Sequence, residues 1–233
     1  MPLPAIVLAG GLGTRLRSVV ADRPKVLAPV AGAPFLAHLL RHLGAEGISE
    51  VVLATGHLGE QVAEFVEGGV PGGMRVRCVQ EEQPLGTGGA VAFAARSAGL
   101  RGPVLALNGD TFFGGRLGAL AAAHPEAAVT MALAHVDDAS RYGRVVLDRD
   151  RVAAFEEKRE GAGPALINAG VYVLSPGVLD GIEAGAFVSL ERDVFPGLVG
   201  AGQIRAVAFP EAAFLDIGTP DDFARAEAVL RRL

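Results

Sequence analysis

A glycine-rich segment near the N-terminus has the residue types needed to bind phosphate. It runs from Leu8 to Leu16 with the sequence LAGGLGTRL and follows a short apolar stretch. Glycines let backbone N–H groups approach phosphate oxygens, and the cations Arg15 and Lys25 supply charge to a polyphosphate. A simple tight turn is the alternative for such a composition. The predicted loop residues are Leu8, Ala9, Gly10, Gly11, Gly13 and Thr14.

Other phosphate-binding motifs do not fit this segment. The dinucleotide fingerprint needs a glycine where Leu16 stands, and the P-loop needs Gly-Lys-Ser/Thr, which is absent. No acidic residue ends the second predicted strand, between Val51 and Thr55. A nicotinamide-dependent oxidoreductase is therefore disfavoured.

Two aspartates follow apolar runs and could bind a metal. Asp110 ends the segment Leu107–Asp110, and Asp216 lies within Phe214–Thr219. Magnesium binds through one or two carboxylates together with substrate phosphates. A helix cap is the alternative for a single aspartate after a strand, so the interpretation depends on the second aspartate as a partner.

A carboxylate in the segment Gln80–Ala90 can read a nucleotide base. Guanine presents adjacent N1–H and N2–H₂ donors, which suit a carboxylate, whereas uracil and thymine alternate acceptor and donor and suit an amide. Glu81 is the candidate base reader, with Glu82 as the alternative. This pattern favours GTP.

The run Gly-Gly-x-Gly-Thr-Arg-Leu followed by Pro-Lys resembles the signature loop of the sugar-1-phosphate nucleotidyltransferases, and the resemblance extends from Leu8 to Phe223. In this family, a nucleoside triphosphate and a sugar 1-phosphate give a nucleotide sugar and pyrophosphate. The resemblance implies that Arg15 steadies the departing pyrophosphate and that Lys25 contacts phosphates. It also implies that Asp110 and Asp216 are paired as Mg²⁺ ligands. The implied catalytic residues are Arg15, Lys25 and Asp110.

The same resemblance implies contacts to the sugar phosphate and to the nucleotide. Phe155–Lys158 and Leu166–Gly170 are similar to sugar-phosphate-binding segments of the family. There Glu157 and Asn168 would bind hydroxyls and Lys158 would pair with the 1-phosphate. A solvated surface charge is the alternative for Glu157, and Arg159 stands where the family often has proline. Further implied contacts come from the backbone of Gly143 on the sugar and from Gly86, Thr87, Gly88 and Asn108 on the nucleotide.

Within the family, three segments are most similar to the D-glycero-D-manno-heptose 1-phosphate guanylyltransferases: Leu16–Val20, Leu107–Phe113 and Ser189–Pro196. GTP and this heptose phosphate are thus the expected substrates, and a GDP-heptose is the expected product. Mannose-1-phosphate guanylyltransferases and N-acetylmuramate-1-phosphate uridylyltransferases remain alternatives. A non-catalytic nucleotide-sugar-binding regulatory subunit is the alternative from another class. It would predict loss of the charged positions, but all four are present: Arg15, Lys25, Asp110 and Asp216.

Short β-branched runs alternate with helical patterns through the first half of the chain. The predicted strands lie at 5–9, 51–53, 76–79 and 104–107, and the predicted helices between them lie at 34–44, 58–66 and 88–98. Runs this apolar indicate burial on both faces of a mostly parallel sheet. In such sheets ligands bind beyond the carboxyl ends of the strands, so the motifs are expected to share one cleft.

From about Ala128 the pattern changes to closely spaced strands, at 129–134, 143–147, 152–155 and 167–174. Helices are predicted near Leu190 and at Pro220–Leu230. The expected fold class is α/β, with a Rossmann-like mixed, mostly parallel sheet, helices on both faces and a small, partly antiparallel insert. One domain over residues 1–233 is expected, with no C-terminal β-helix domain.

Composition limits the partners and the compartment. The 233 residues carry a net charge of -5, so nucleic-acid binding through a basic face is not expected. Cys78 is the only cysteine, which fits a reducing cytoplasm. An export signal is not apparent, and the most apolar long segment, Leu117–Val136, is interrupted by charged and imidazole side chains. A cytoplasmic protein with small-molecule substrates and no membrane partner is expected. The oligomeric state stays open, a homo-oligomer included.

Overall fold

The first strand shows how the chain builds a sheet that is covered on both sides. In the computed structural model, which describes residues 3–11, 22–70 and 73–231, Ala5 and Val7 pack in one hydrophobic cluster and Ile6 packs in another. Successive side chains of a strand point to opposite faces of its sheet. A strand that is apolar at every position therefore needs packing partners on both faces.

The strands of the described residues are β1 (Ala5–Leu8), β2 (Pro29–Val30), β3 (Ala33–Pro34), β4 (Glu50–Thr55), β5 (Arg75–Gln80), β6 (Val104–Asn108), β7 (Thr111–Phe113), β8 (Val129–Val136), β9 (Arg144–Asp148), β10 (Arg151–Glu156), β11 (Ala165–Leu174), β12 (Ile204–Phe209) and β13 (Phe214–Asp216). Nine of them form one sheet in the order β5-β4-β1-β6-β11-β8-β12-β10-β9. The strands β5, β4, β1 and β6 run parallel, whereas β11 runs antiparallel to both β6 and β8.

Helices cover both faces of this sheet. The helices are α1 (Phe35–Ala45), α2 (Gly59–Glu67), α3 (Gly86–Ser97), α4 (Leu117–Ala123), α5 (Pro176–Asp180), α6 (Phe195–Gly200) and α7 (Pro220–Leu230). Helices α1, α2 and α4 pack in the same cluster as Ala5 and Val7. Helices α3 and α5 pack in the cluster of Ile6 on the opposite face. A π-helical turn, Leu190–Val194, leads directly into α6.

The mixed α/β architecture that the sequence predicted is confirmed. The predicted helix at Pro220–Leu230 has the observed bounds of α7, and other predicted elements differ from the structure mainly at their ends. A small, partly antiparallel insert was expected after Ala128. In the structure, the strands after Ala128 instead extend the main sheet beyond β6. The ten residues of β11 pair with β6 on one side and β8 on the other, so β6 is not left as an open edge.

Smaller elements lie beside the sheet and carry part of the site. Strands β7 and β13 form a two-stranded antiparallel ribbon, and β2 pairs with β3 in another. Helix α7 follows β13 and begins with Thr219 as its N-cap and Pro220 in its first turn, as is usual at helix starts. In the part of the chain that the structure describes, no helix is long and apolar enough to span a membrane.

Candidate active site

The ribbon of β7 and β13 brings together two aspartates that are far apart in sequence. Asp216 ends β13 and pairs with Thr111 at the start of β7. The backbone N–H of Ile217 donates to the carbonyl oxygen of Asp110 at 3.0 Å. The two carboxylates predicted as a pair therefore lie side by side, next to the carboxyl end of β6.

Lys25 lies between these carboxylates. Its Nζ is 2.7 Å from Oδ2 of Asp110 and 3.9 Å from Oδ1 of Asp216. The lysine side chain is 11% exposed, and the aspartates are 38% and 23% exposed in the same order. A largely buried ammonium that is hydrogen-bonded to one acid and close to a second is a fixed positive charge, which suits binding of a phosphate group at this point.

The electrostatics of Asp216 reflect this crowding of negative charge. Burial raises the pKa of Asp216 above its ordinary value, and the charge of Asp110 raises it further, against the opposing effect of Lys25. A divalent cation would relieve the repulsion between the two carboxylates, and carboxylate oxygen is the donor that Mg²⁺ prefers. Among the described residues, no cluster of three or more His, Cys, Asp or Glu side chains could hold a metal by itself. The two acids could therefore supply two carboxylate ligands to a magnesium ion that takes its remaining ligands from outside the protein.

Close backbone contacts fix the start of the glycine-rich loop against the neighbouring strand ends. The N–H of Ala9 donates to the carbonyl oxygen of Ala54 at 2.7 Å. A Cβ atom at Gly10 would lie 3.1 Å from the backbone nitrogen of Gly56. A Cβ atom at Gly109 would lie 2.4 Å from the carbonyl oxygen of Leu8, so only glycine fits beside this strand end. The rest of the predicted loop, with Gly13, Thr14 and Arg15, lies outside the described residues.

A cleft of about 820 Å³ runs from this loop to the ends of β4 and β5. The residues predicted to bind nucleotide that line it are Leu8, Ala9, Gly10, Gly11, Glu81, Gly86, Thr87 and Asn108. Lys25 and Asp110 also line it. The expectation that the motifs at the strand ends share one cleft therefore holds for the described start of the phosphate loop, Leu8–Gly11, for the first aspartate and for the candidate base reader.

Glu81 lies partly buried in this cleft. Its Oε2 accepts the backbone N–H of Leu85 at 2.9 Å, and its Oε1 lies close to Gly10, 3.4 Å from where a Cβ atom would stand. Burial raises the pKa of Glu81, and the hydrogen bond from Leu85 partly opposes this shift. Glu82 also lines the cleft but is exposed. Of the two, Glu81 is the carboxylate held in a defined position.

The start of α3 is fixed by a facing backbone segment. Gly86 has a φ of +71°, and a Cβ atom there would lie 2.5 Å from the carbonyl oxygen of Val188. That carbonyl oxygen also accepts the N–H groups of Gly88 at 2.8 Å and Gly89 at 3.1 Å. Gly88 is buried and its N–H is occupied, so the structure gives it a packing role instead of a free donor toward a nucleotide.

Three of the predicted sugar-binding residues lie next to each other where β9 pairs with β10 and β11. Arg144 of β9 pairs with both β10 and β11. One step beyond these pairs stand Gly143, Glu157 and Asn168, so the sheet register brings three separate segments into one row. Lys158 follows directly, and it is exposed, as are Glu157 and Gly143. None of these four is among the described residues that line the cleft.

Asn108 and Gly170 connect this row to the cleft. Gly170 follows Asn168 by two residues and has a φ of +69°, in a region of β11 where the pairing with β8 shifts register. A Cβ atom at Gly170 would lie 2.5 Å from Nδ2 of Asn108, which lines the cleft. The absence of a side chain at Gly170 therefore lets the sugar-side segment, Asn168–Gly170, come close to Asn108, which lines the cleft.

Sequence reasoning missed two residues at the site. Phe187 lines the cleft and is 60% exposed as a residue, which is unusual for a large apolar residue. Glu191 accepts a hydrogen bond from the hydroxyl of Thr87 at 2.7 Å. The segment Ser189–Pro196 was used as evidence of resemblance only, and no motif pointed to these side chains.

Known proteins resemble this chain along nearly its whole length. A mannose-1-phosphate guanylyltransferase from Mycobacterium tuberculosis is 42% identical over 98% of this chain, and the match covers 64% of that protein. The chain thus spans less than two thirds of that relative. A D-glycero-alpha-D-manno-heptose 1-phosphate guanylyltransferase from Aneurinibacillus thermoaerophilus is 35% identical over 98% of this chain and 99% of its own length.

A solved structure agrees with the fold and its extent. HddC from Yersinia pseudotuberculosis, described as a complex with GMP-PN, superposes with a TM-score of 0.88 and 30% identity, covering 98% of this chain and 99% of that one. The family model described as nucleotidyl transferase matches residues 4–232. With a match over almost every residue and a paired-aspartate site beside the glycine-rich loop, this chain belongs to the nucleotidyl transferase family.

Proposed function

We propose that the chain transfers a guanylyl group from GTP to a sugar 1-phosphate, giving a GDP-sugar and pyrophosphate. The observation that carries this proposal is that Lys25, held by Asp110 and close to Asp216, lines the same cleft as Glu81. A cation that suits phosphates and a carboxylate that suits guanine are thus open to one cleft.

The choice of guanine rests on Glu81. Its carboxylate is partly buried and lines the cleft, where N1–H and N2–H₂ of guanine could donate to it. Phe187 offers an exposed ring on the same cleft. Stacking of a base on an aromatic ring contributes about 1–3 kcal/mol in proteins that bind single-stranded nucleic acid. Both relatives described above are guanylyltransferases, which supports the same base.

For the sugar we propose D-glycero-D-manno-heptose 1-phosphate. The named heptose enzyme matches this chain along 99% of its own length, which supports the proposal. Mannose 1-phosphate is the second candidate, because the mannose enzyme has the higher identity of 42%. The row of Gly143, Glu157 and Asn168, with Lys158 beside it, would bind the sugar phosphate in either case.

The reaction needs alignment and charge stabilisation more than proton transfer. A sugar 1-phosphate with a second pKa of about 6 is largely a dianion near neutral pH, so it attacks without a general base. Its phosphate oxygen forms a bond to the α-phosphorus of GTP, and the bond from that phosphorus to the bridging oxygen of pyrophosphate breaks. Lys25 stabilises charge on the phosphates, and Arg15 would steady the departing pyrophosphate.

We propose Mg²⁺ as the cofactor, held by Asp110 and Asp216. When bound, it would neutralise phosphate charge during the transfer. Both carboxylates also lie near Lys25, at 2.7 Å and 3.9 Å from its Nζ, so in the ionised form they keep the lysine oriented. The substrate phosphates would then supply further ligands to the metal ion. We also propose a cytoplasmic location, which fits a nucleotide-dependent enzyme with one free thiol, Cys78.

The test is pyrophosphate release with Mg²⁺ for each pairing of GTP, UTP, dTTP, CTP and ATP with the 1-phosphates of heptose, mannose, glucose and N-acetylmuramic acid. We expect turnover with GTP and the heptose phosphate. Turnover with GTP and mannose 1-phosphate alone would favour the second candidate. Turnover with UTP or dTTP would overturn the role of Glu81, and no turnover with any pair would favour a non-catalytic nucleotide-sugar-binding subunit.

A further inference from the structure

The carboxylate of Glu191 joins side chains from separate parts of the fold. It accepts hydrogen bonds from the hydroxyl of Thr87 at 2.7 Å and from that of Ser189 at 2.9 Å. It also accepts from the hydroxyl of Tyr172 at 3.3 Å. Glu191 lies on the π-helical turn, Thr87 at the start of α3 and Tyr172 on β11. One carboxylate thus connects the helix that lines the nucleotide cleft to the strand that carries the sugar-side segment.

On the nucleotide side, the contact fixes the orientation of a hydroxyl that lines the cleft. Thr87 Oγ1 donates to Glu191 and at the same time accepts the backbone N–H of Leu190 at 2.8 Å. Both hydrogen bonds come from the segment that begins at Ser189. Leu190 and Glu191 therefore fix the rotamer of Thr87 and the position of the start of α3.

On the sugar side, the chain of hydrogen bonds continues to a predicted substrate contact. The Tyr172 hydroxyl accepts from Nδ2 of Asn168 at 2.7 Å, and Oδ1 of Asn168 accepts the N–H of Gly170 at 2.9 Å. Tyr172 is 1% exposed. Burial raises its pKa, and the charge of Glu191 adds to the shift, so the phenol stays protonated and keeps donating to Glu191. The side-chain orientation of Asn168 thus depends on Glu191 through one buried phenol.

We propose that Glu191 is a positioning residue that aligns the nucleotide and sugar-phosphate sides of the site through Thr87 and Tyr172. The proposal rests on the function proposed above. In-line transfer requires the attacking oxygen and the α-phosphorus to be about 3–3.5 Å apart, and a misplacement of about 1 Å can cost about a hundredfold in rate. A shared anchor for both binding segments reduces their independent motion and favours that approach.

The test compares kinetic constants of Glu191→Gln, Tyr172→Phe and the wild type with GTP and the preferred sugar 1-phosphate. Glu191→Gln keeps the size of the side chain but replaces one acceptor oxygen with a donor, so we expect kcat to fall by about 10–100-fold. Tyr172→Phe removes only the sugar-side link. It should raise KM for the sugar 1-phosphate about three- to tenfold, while KM for GTP changes less than about twofold.

Asp193→Asn is the matched control, because Asp193 lies in the same helical turn and accepts the N–H of Ser189 at 2.7 Å without joining Thr87 to Tyr172. We expect it to lower thermal stability without a change in the ratio of the two KM values. Unchanged kinetics in folded Glu191→Gln, or equal changes of both KM values in Tyr172→Phe, would overturn the proposal. An inactive wild type with every substrate pair would instead overturn the proposed function.

Discussion

A buried carboxylate outside the cleft gives a prediction whose magnitude follows from its contacts. Asp222 is 2% exposed in the first turn of α7. It accepts two hydrogen bonds from Arg141, at 2.7 and 2.5 Å, one from Arg225 at 3.0 Å and one from the hydroxyl of Thr219 at 2.7 Å. Asp222→Ala removes all four and leaves two guanidinium groups without this partner.

The cost is limited by the exposure of those guanidinium groups. Breaking a fully buried ion pair costs about 3–5 kcal/mol, mainly because the remaining charge stays buried. Here the Arg141 and Arg225 side chains are 44% and 59% exposed, so water can solvate them after the change. Charge-assisted hydrogen bonds contribute about 1.5–3 kcal/mol, and we expect a loss of roughly 2–3 kcal/mol in the free energy of unfolding. For a chain of this size that is a fall of about 4–12 °C in Tm.

The assay is thermal and urea unfolding of Asp222→Ala beside Asp221→Ala. Asp221 is exposed and also lies in the first turn of α7, so its removal changes the net charge and the helix-dipole interaction equally. The control should lose less than about 1 kcal/mol. Equal losses in the two variants would refute the reasoning that the buried contacts of Asp222 stabilise the fold.

The pH dependence of this difference has a defined sign. Burial alone would raise the pKa of Asp222, but the hydrogen bonds from Arg141 and Thr219 outweigh it and lower the pKa. The folded protein therefore binds this proton less readily than the unfolded chain does. The stability difference between wild type and Asp222→Ala should be fully present at neutral pH and should shrink as the pH falls through the lowered pKa.

Three predictions concern the cleft. Lys25→Met should lower kcat by about 10²–10³-fold in steady-state assays, because a charge beside the reacting phosphates is lost; near wild-type kcat would contradict the role of Lys25. The wild type and Glu81→Gln should be compared by kcat/KM for GTP across pH. The ratio of the two should fall on acidification, with a midpoint above the ordinary pKa of a glutamate, because burial raises this pKa and protonation removes the acceptor. A ratio independent of pH would argue against Glu81 as the base reader. Phe187→Ala should raise KM for GTP at least about fivefold, and an unchanged KM would exclude stacking of the base on this ring.

The chemistry at the strand ends was predictable because the motifs are local. The segment Leu8–Leu16 and the Asp110 motif each follow one apolar strand, so their place at the carboxyl edge of the sheet follows from the βαβ pattern. The pairing of Asp110 with Asp216 came from family resemblance. The structure gives the physical reason, which is the antiparallel register of β7 and β13.

The supporting contacts were not predictable because they join residues far apart in sequence. Thr87 and Glu191 are separated by 104 positions, and Arg141 and Asp222 by 81. Neither pair stands in a periodic pattern or a spaced motif, and each depends on the final packing of loops on the sheet. The same holds for Phe187, whose neighbour Val188 donates its backbone N–H to the carbonyl oxygen of Leu85, 103 positions earlier.

The proposed attack of a sugar phosphate on the α-phosphorus of GTP is followed most directly by a label in that phosphorus. With GTP labelled at the α-phosphate, Mg²⁺ and a sugar 1-phosphate, we expect the label to appear in the GDP-sugar while pyrophosphate is unlabelled. Lys25→Met should transfer label far more slowly. Label remaining in GTP with every sugar phosphate, or release of inorganic phosphate in place of pyrophosphate, would show that this transfer does not take place.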